Sequence, residues 1–131
     1  MNRKVEEMKI VGVFFVATAD GDQPRVRPFS SVTEFEGSVY LCTGKFKEFY
    51  RQIKANPKIE LSGMYKEGTA WLRVSATLVE DDRMEAQKAM LDDPTGPKGL
   101  YTAGDGKFTV FRLTEIKAVK ASFFAPPEII E

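Results

Sequence analysis

Short runs of β-branched and aromatic residues, parted by turn signals, recur along almost the whole chain and restrict what it can fold into. "VGVFFVAT" (residues 11–18) is continuous and apolar, the pattern of a strand buried on both faces. "ADGDQP" follows with a glycine-containing turn. A second strand, Arg25 to Phe35, leads through "EG" into "SVYLCT", so the chain is expected to open as a three-strand meander. "KIELSGM" and "AWLRVSATLVE" are two further strands joined by "KEGT", and "KFTVFRLTE" and "KAVKASFF" close the series.

Helical spacing interrupts this pattern in three places. Residues 2–9 form a short candidate helix of mixed charge. In "KFKEFYRQIKANP", Phe46, Phe49, Tyr50 and Ile53 fall at i, i+3, i+4 and i+7, one stripe of an amphipathic helix that Pro57 ends. Asp82, with Glu85 three residues on, is placed to cap a helix at "RMEAQKAML". "DDPTGPKGLYTAGDG" reads as a loop with a turn of helix near Leu100. A chain of 131 residues has room for one core, so residues 1–131 are read as a single domain. The expected class is mainly β within α+β: a small antiparallel barrel with helices packed outside it.

Composition narrows the chemistry. Nineteen basic and nineteen acidic side chains cancel, which argues against a dedicated nucleic-acid binder. Cys42 is the only cysteine and there is no histidine, so an intrachain disulfide, His-based nucleophilic catalysis and an ordinary zinc site are all excluded. No catalytic residue and no metal ligand set can be assigned. Any demanding chemistry then belongs to a borrowed cofactor. The apolar run from Ile10 to Ala19 is too short to span a bilayer, and Glu6 and Glu7 stand where a secretory signal would be basic. The expected setting is soluble and cytoplasmic, with no membrane partner.

Four features remain as candidate site elements. Arg25 and Arg27 project to one side of a strand, and a guanidinium fork matches phosphate oxygens. Solvation, or pairing with Glu34 or Glu36, would also account for them. In "TGKFKE" a strand ends at Thr43 and Gly44, and Lys45 and Lys47 open a helix, whose N-terminus attracts anions. Ser62 and Gly63 would let a flat ligand approach a strand end, or mark a bulge. Finally Trp71, Tyr101, Phe108 and the pair Phe123–Phe124 supply rings for a core, a partner or a planar ligand. Together they suit a ligand with a phosphate at one end and a flat apolar body, the shape of flavin mononucleotide (FMN).

"FFVATADGDQPRVRPFSSVTEFEGSVYLCTGKFKEFYRQIKANPKIELSGM", together with the later "WLRVSA" strand, resembles the pyridoxamine 5'-phosphate oxidase-like family of FMN-binding split barrels, in particular its short stand-alone bacterial members. The resemblance implies a six-stranded antiparallel split β-barrel with peripheral helices, acting as a homodimer with FMN at the subunit interface. It implies that Arg25, Val26, Arg27 and Pro28 line the flavin. Thr43 and Lys47, with Lys45 nearby, would hold the phosphate, and Ser62 and Gly63 would approach the ring edge. Trp71, Phe123 and Phe124 would come from the second subunit. True pyridoxamine phosphate oxidases carry an Arg-x-His pair near the C-terminus. This chain has no histidine, so vitamin B6 oxidation is not expected. The implied activity is that of an FMN-dependent oxidoreductase drawing on NADH, NADPH or another donor. A non-catalytic flavin carrier or redox sensor, or a haem- or deazaflavin-binding member of the fold, is the alternative.

Overall fold

Helix α1 (Arg3–Val11) leads into β1 (Phe14–Asp20), β2 (Gln23–Phe29), β3 (Thr33–Phe35) and β4 (Ser38–Gly44). Then come α2 (Glu48–Ala55), β5 (Lys58–Met64), β6 (Ala70–Asp81), α3 (Met84–Asp92), β7 (Phe108–Ser122) and β8 (Glu128–Ile129). The computed structural model describes residues 2–131. All pairings are antiparallel, in the order β2-β1-β5-β6-β7-β4-β3, with β8 added on β7.

The two ends of that path are consecutive in the chain. Phe29 ends β2 and Thr33 starts β3, so the connection can reach about 14 Å at most. In a flat sheet the same strands would lie six spacings apart, about 29 Å. The sheet must therefore roll until its edges approach. No ladder joins β2 to β3 among the described residues, so the barrel stays split, with its seam at residues 30–32. This is a mainly antiparallel β fold with three helices, the split-barrel class. It has additional short strands beside the six expected.

Inward-facing Phe14, Val16, Leu41, Leu61, Leu72, Val74, Phe111 and Leu113 fill the barrel. Helix α2 closes it near the seam. Its Phe49 and Ile53 are buried, and the Phe49 ring lies 4.9 Å from Phe29 and 6.3 Å from Phe111. A fully buried ring of this kind contributes about 1.5–3 kcal/mol. A second apolar cluster packs α3, through Ala86 and Met90, against Tyr40, Cys42, Phe108 and Val110 on the outer side of β4 and β7.

Several expectations are corrected. The strand anticipated from Arg25 to Phe35 breaks at the seam into β2 and β3. Its halves sit at opposite ends of the sheet, so the opening is two hairpins rather than a meander. The first strand is not buried on both faces, because Phe15 is 50% exposed while Phe14 and Val16 are sealed inside. Phe46 lies outside α2, which starts at Glu48, and is exposed. The two closing strands are one 15-residue strand, β7. A bulge bends it where Glu115 takes φ 52° and the register shifts between Ser75 and Thr77. Asp82 does not cap α3: Arg83 holds the cap position without a side-chain bond, and its N–H goes to Asp81 Oδ1 at 3.1 Å. Near Leu100 there is a single hydrogen-bonded turn, from the Leu100 N–H to Pro97 O at 3.4 Å.

Candidate functional site

The seam opens into a cavity of about 460 Å³, inside the range that accommodates small ligands. One side is the corner after β2, from Arg27 and Pro28 to Ser31. Cys42 and Thr43 of β4 supply the second side, and Lys47, Glu48 and Phe49 at the start of α2 the third. Pro97, Leu100 and Tyr101, from the loop after α3, close the fourth.

The two arginines of β2 divide their roles. Arg25 is exposed and pairs with Asp20 at 3.2 Å, and Asp20 also receives Arg51 at 3.2 Å. Hydrogen bonds from Arg25 and Arg51 hold the Asp20 carboxyl below the usual carboxylate range. Arg27 turns inward. Its Nη1 donates to Thr18 Oγ1 at 2.7 Å and to Val16 O at 3.2 Å, and its Nη2 donates to Gln52 Oε1 at 2.6 Å. The guanidinium lies 5.1 Å from the centre of the Phe49 ring, a cation–π contact. Every one of these partners is neutral. Burial, and then the like charge of Arg25, pulls the Arg27 pKa below the ordinary arginine value. A half-buried cation with neutral acceptors keeps most of its field for whatever enters the cavity.

The α2 start adds to that field. Lys47 occupies the N-cap position with no side-chain cap bond, so the first-turn N–H groups have no side-chain acceptor from that position. Nearby in the lining, the buried Thr43 hydroxyl has, among the described residues, only the carbonyl of adjacent Gly44, at 3.5 Å. Burial pushes the neighbouring Cys42 thiol up to about 12, against smaller lowering effects from Ser31 and Lys47, so this cysteine is a neutral wall rather than a nucleophile. The site therefore offers two cations, a hydroxyl and a helix N-terminus, with aromatic and proline surface around them. Glu48 is the one carboxylate in the lining among the described residues, and it is engaged by Arg51 at 2.7 Å. Among the described residues no group of His, Cys, Asp and Glu could hold a metal ion. None of the helices is long and apolar enough to cross a membrane.

Of the residues singled out from sequence, Arg27, Pro28, Thr43 and Lys47 meet in this cavity. Arg25 lies beside it with Asp20, and Lys45 is exposed in the turn, its N–H bonded to Lys107 O at 2.7 Å. Gly63 faces inward, under α1: a Cβ there would stand 2.3 Å from Val11 Cγ1 and 2.9 Å from Val13 O. Tyr101 lines the cavity as well, and Phe108 is buried against its ring. Val26, Ser62 and Trp71 lie on the outer face of the sheet, with Phe123 and Phe124 just past the end of β7. Pro28, Phe15, Ser62, Arg73, Val119 and Ile129 stand opposite one another across six strands. Val26 and Ala17 form a second row, and Met64, Trp71 and Ala121 a third. Phe123 stacks on Trp71 with centroids 4.8 Å apart, and Phe124 is exposed. Pro28 belongs to both the cavity lining and this face. Ser30, Ser31, Pro97 and Leu100 were not anticipated as cavity residues, because the loops that carry them show no ligand signal of their own, and Phe49 was read only as part of the apolar stripe of α2.

Comparison with known proteins places this geometry. Residues 3–120 match the family model described as pyridoxamine 5'-phosphate oxidase. The chain is 39% identical to a nimC/nimA family protein from Clostridium acetobutylicum, with a TM-score of 0.93 over 99% of this chain and 90% of that one. A haem binding protein from Mycobacterium smegmatis shares the fold at 17% identity and TM-score 0.68, over 95% of this chain and 56% of that one. So does a pyridoxamine 5'-phosphate oxidase-related, FMN binding protein from Nostoc punctiforme, at 12% identity and TM-score 0.62, over 98% and 92%. No curated protein matches the chain.

Proposed function

Because the chain belongs to the pyridoxamine 5'-phosphate oxidase family, we propose that its seam cavity binds FMN and that it acts as an FMN-dependent oxidoreductase on a small-molecule acceptor. The observation that carries this is Arg27, a half-buried guanidinium with only neutral partners, at a cavity it shares with Lys47 and Thr43. An anionic phosphate supplies the countercharge that the protein does not. Lys47, Thr43 and the start of α2 would hold the phosphate, with Arg27 compensating its charge. Pro28 and the rings near the seam would border the flat flavin body. Bound FMN would supply hydride and electron transfer, and the protein binding, orientation and electrostatics. The fold neighbour named as FMN binding supports a flavin in this class of cavity. With no histidine in the chain, the haem reading lacks the commonest axial ligand.

We further propose that the working unit is a homodimer. The outer face that holds Val26, Ser62, Trp71 and Phe123 continues from the cavity through Pro28, so a second subunit on that face would wall the flavin.

The test is titration of the purified protein with FMN and with riboflavin, which lacks the phosphate. Wild type should prefer FMN and show flavin absorption bands. Lys47→Ala and Arg27→Ala should each weaken FMN by about tenfold or more, the loss of one charge-assisted contact of ~1.5–3 kcal/mol, and leave riboflavin nearly unchanged. Equal losses for both ligands would remove these residues from the phosphate site. Oxidation of NADH or NADPH by the loaded protein then separates an enzyme from a flavin carrier.

A further inference from the structure

The chain has four tyrosines. Three give their hydroxyls to carboxylates: Tyr40 to Asp81, Tyr50 to Glu80 and Tyr65 to Glu7. Tyr101 differs. Among the described residues its hydroxyl has no hydrogen-bond partner, although every fully buried polar side-chain atom there has one. The hydroxyl is therefore not sealed in the protein, and Tyr101 borders both the seam cavity and a hollow on the Asp105 and Lys107 side.

Its position is set by packing on three sides. The ring lies 5.0 Å from Phe108 and 6.5 Å from Phe46, centroid to centroid. Phe108 pairs with Gly44 across the β4–β7 ladder, so a ring laid on Phe108 points its far end over Gly44. A Cβ on Gly44 would stand 2.6 Å from the Tyr101 hydroxyl oxygen, closer than real Cβ contacts come. The Phe46 ring would be 2.7 Å away as well, but it is an exposed side chain free to swing outward, so the missing side chain of Gly44 is above all the room this hydroxyl occupies. The loop carrying Tyr101 is tied at both ends. Asp93 bonds Thr95 on one side, and Asp105 accepts from the Thr102, Lys107 and Phe108 N–H groups on the other.

We propose that Tyr101 is a phosphate-binding residue of the seam cavity, donating its hydroxyl to the same anion that Lys47 and Thr43 hold, and that Gly44 is the specificity element that makes room for it. The inference rests on the FMN reading for the identity of the ligand, but not for the presence of an anion. Burial, and then the nearby Cys42 and Asp105, raises the Tyr101 pKa, so the phenol stays protonated and remains a donor at neutral pH. Cys42 and Thr43 precede Gly44 on β4 and also line the cavity, beside Lys47. The hydroxyl thus lies over the residue that follows Thr43, and Tyr101 shares the cavity lining with Lys47.

The experiment compares wild type, Tyr101→Phe, Gly44→Ala and the double variant. FMN and riboflavin affinities are measured, together with the rise in melting temperature caused by inorganic phosphate. Tyr101→Phe should lose about tenfold in FMN affinity, keep riboflavin within about twofold, and lose most of the stabilisation by phosphate. Gly44→Ala should mimic it by displacing the hydroxyl, and should add little in the Tyr101→Phe background, where no hydroxyl remains to displace. Wild-type FMN affinity in Tyr101→Phe, or equal loss of both flavins, overturns the role of Tyr101. Additive losses overturn the role of Gly44. If wild type binds neither flavin, the FMN reading falls, and the phosphate arm still decides whether Tyr101 serves an anion site.

Discussion

Asp93 shows how single side chains hold the seam in place. It is buried, and its Oδ2 accepts from Lys9 Nζ of α1 and from the Thr33 hydroxyl of β3, each at 2.8 Å. Its Oδ1 accepts the Thr95 N–H at 2.9 Å, and Thr95 in turn reaches Val32 at the corner between the split edges. Burial alone would raise this carboxyl, but Lys9, Thr95 and Thr33 together hold it below its ordinary range. A depressed folded pKa means the contribution is whole above the unfolded value of about 3.9 and is lost as pH falls through the folded one. Asp93→Asn should therefore cost ~1.5–3 kcal/mol at pH 7, with the gap to wild type closing in acid. Urea titrations at pH 7, 5 and 3 read this directly, and a constant gap would show that the charge carries none of it. The sequence made the arginine pair of β2 legible because strand parity alone puts Arg25 and Arg27 on one side. It did not reveal that Asp20, rather than Glu34 or Glu36, pairs with Arg25, since that choice depends on how the hairpin and α2 bring Asp20, Arg25 and Arg51 together. Tyr101 was visible only as a ring. Its place in the cavity follows from Gly44 and Phe108 pairing across a ladder, which the local pattern does not encode.

Most elements were readable from periodicity and turn residues, and the misreadings share one cause. Strand ends and strand partners are set by barrel closure, not by local preference. The run from Arg25 to Phe35 looks continuous, yet Ser30–Val32 must cross the seam, so it yields two edge strands. β7 looks interrupted at Glu115, yet the bulge there lets one strand curve along β4 and then along the first half of β6. Gly63 has a comparable history: a small residue at a strand end invites a ligand, but here it gives α1 its seat. Gly63→Ala would push a methyl into Val11 and the Val13 carbonyl. It should destabilise by ~1–3 kcal/mol, the usual cost of overpacking, while the folded fraction keeps its FMN affinity. Thermal melts paired with flavin titration at low temperature make the distinction. A loss of affinity without a loss of stability would return Gly63 to the ligand site.

At the scale of the molecule, the outer face of the sheet gathers five exposed large apolar side chains. Phe15, Val26, Met64, Phe123 and Ile129 are 50%, 66%, 49%, 66% and 68% exposed. The strand pairings set Phe15, Val26, Met64 and Ile129 in adjoining rows across this one face, and Phe123 stacks on Trp71 beside them. Exposed apolar side chains gathered on one face, here around the polar residues Ser62, Arg73 and Glu60, are what an interaction surface would present. Arg73 and Glu60 pair at 3.1 Å within the face, while Lys117 stands in the Val26 row across β1, β5 and β6, so a cover over the whole face would have to pair its ammonium or leave it in water. Two copies meeting about a twofold axis would bury the patch once from each side and generate two equivalent seam cavities, each bordered by the partner through Pro28. A ligand shared across that boundary favours the associated state by mass action. Two variants probe this from different ends. Val26→Asp places a new charge at the β2 side of the face, next to Pro28 and the cavity, and the Phe123→Ala, Phe124→Ala pair removes exposed rings at another margin. Sedimentation over a dilution series should show wild type as a dimer that FMN tightens, and Val26→Asp as a monomer with FMN affinity reduced about tenfold or more. The double alanine variant should fall between them. If Val26→Asp is a folded monomer that binds FMN as tightly as wild type, the cavity is complete within one chain, and the apolar face serves some purpose other than walling the flavin.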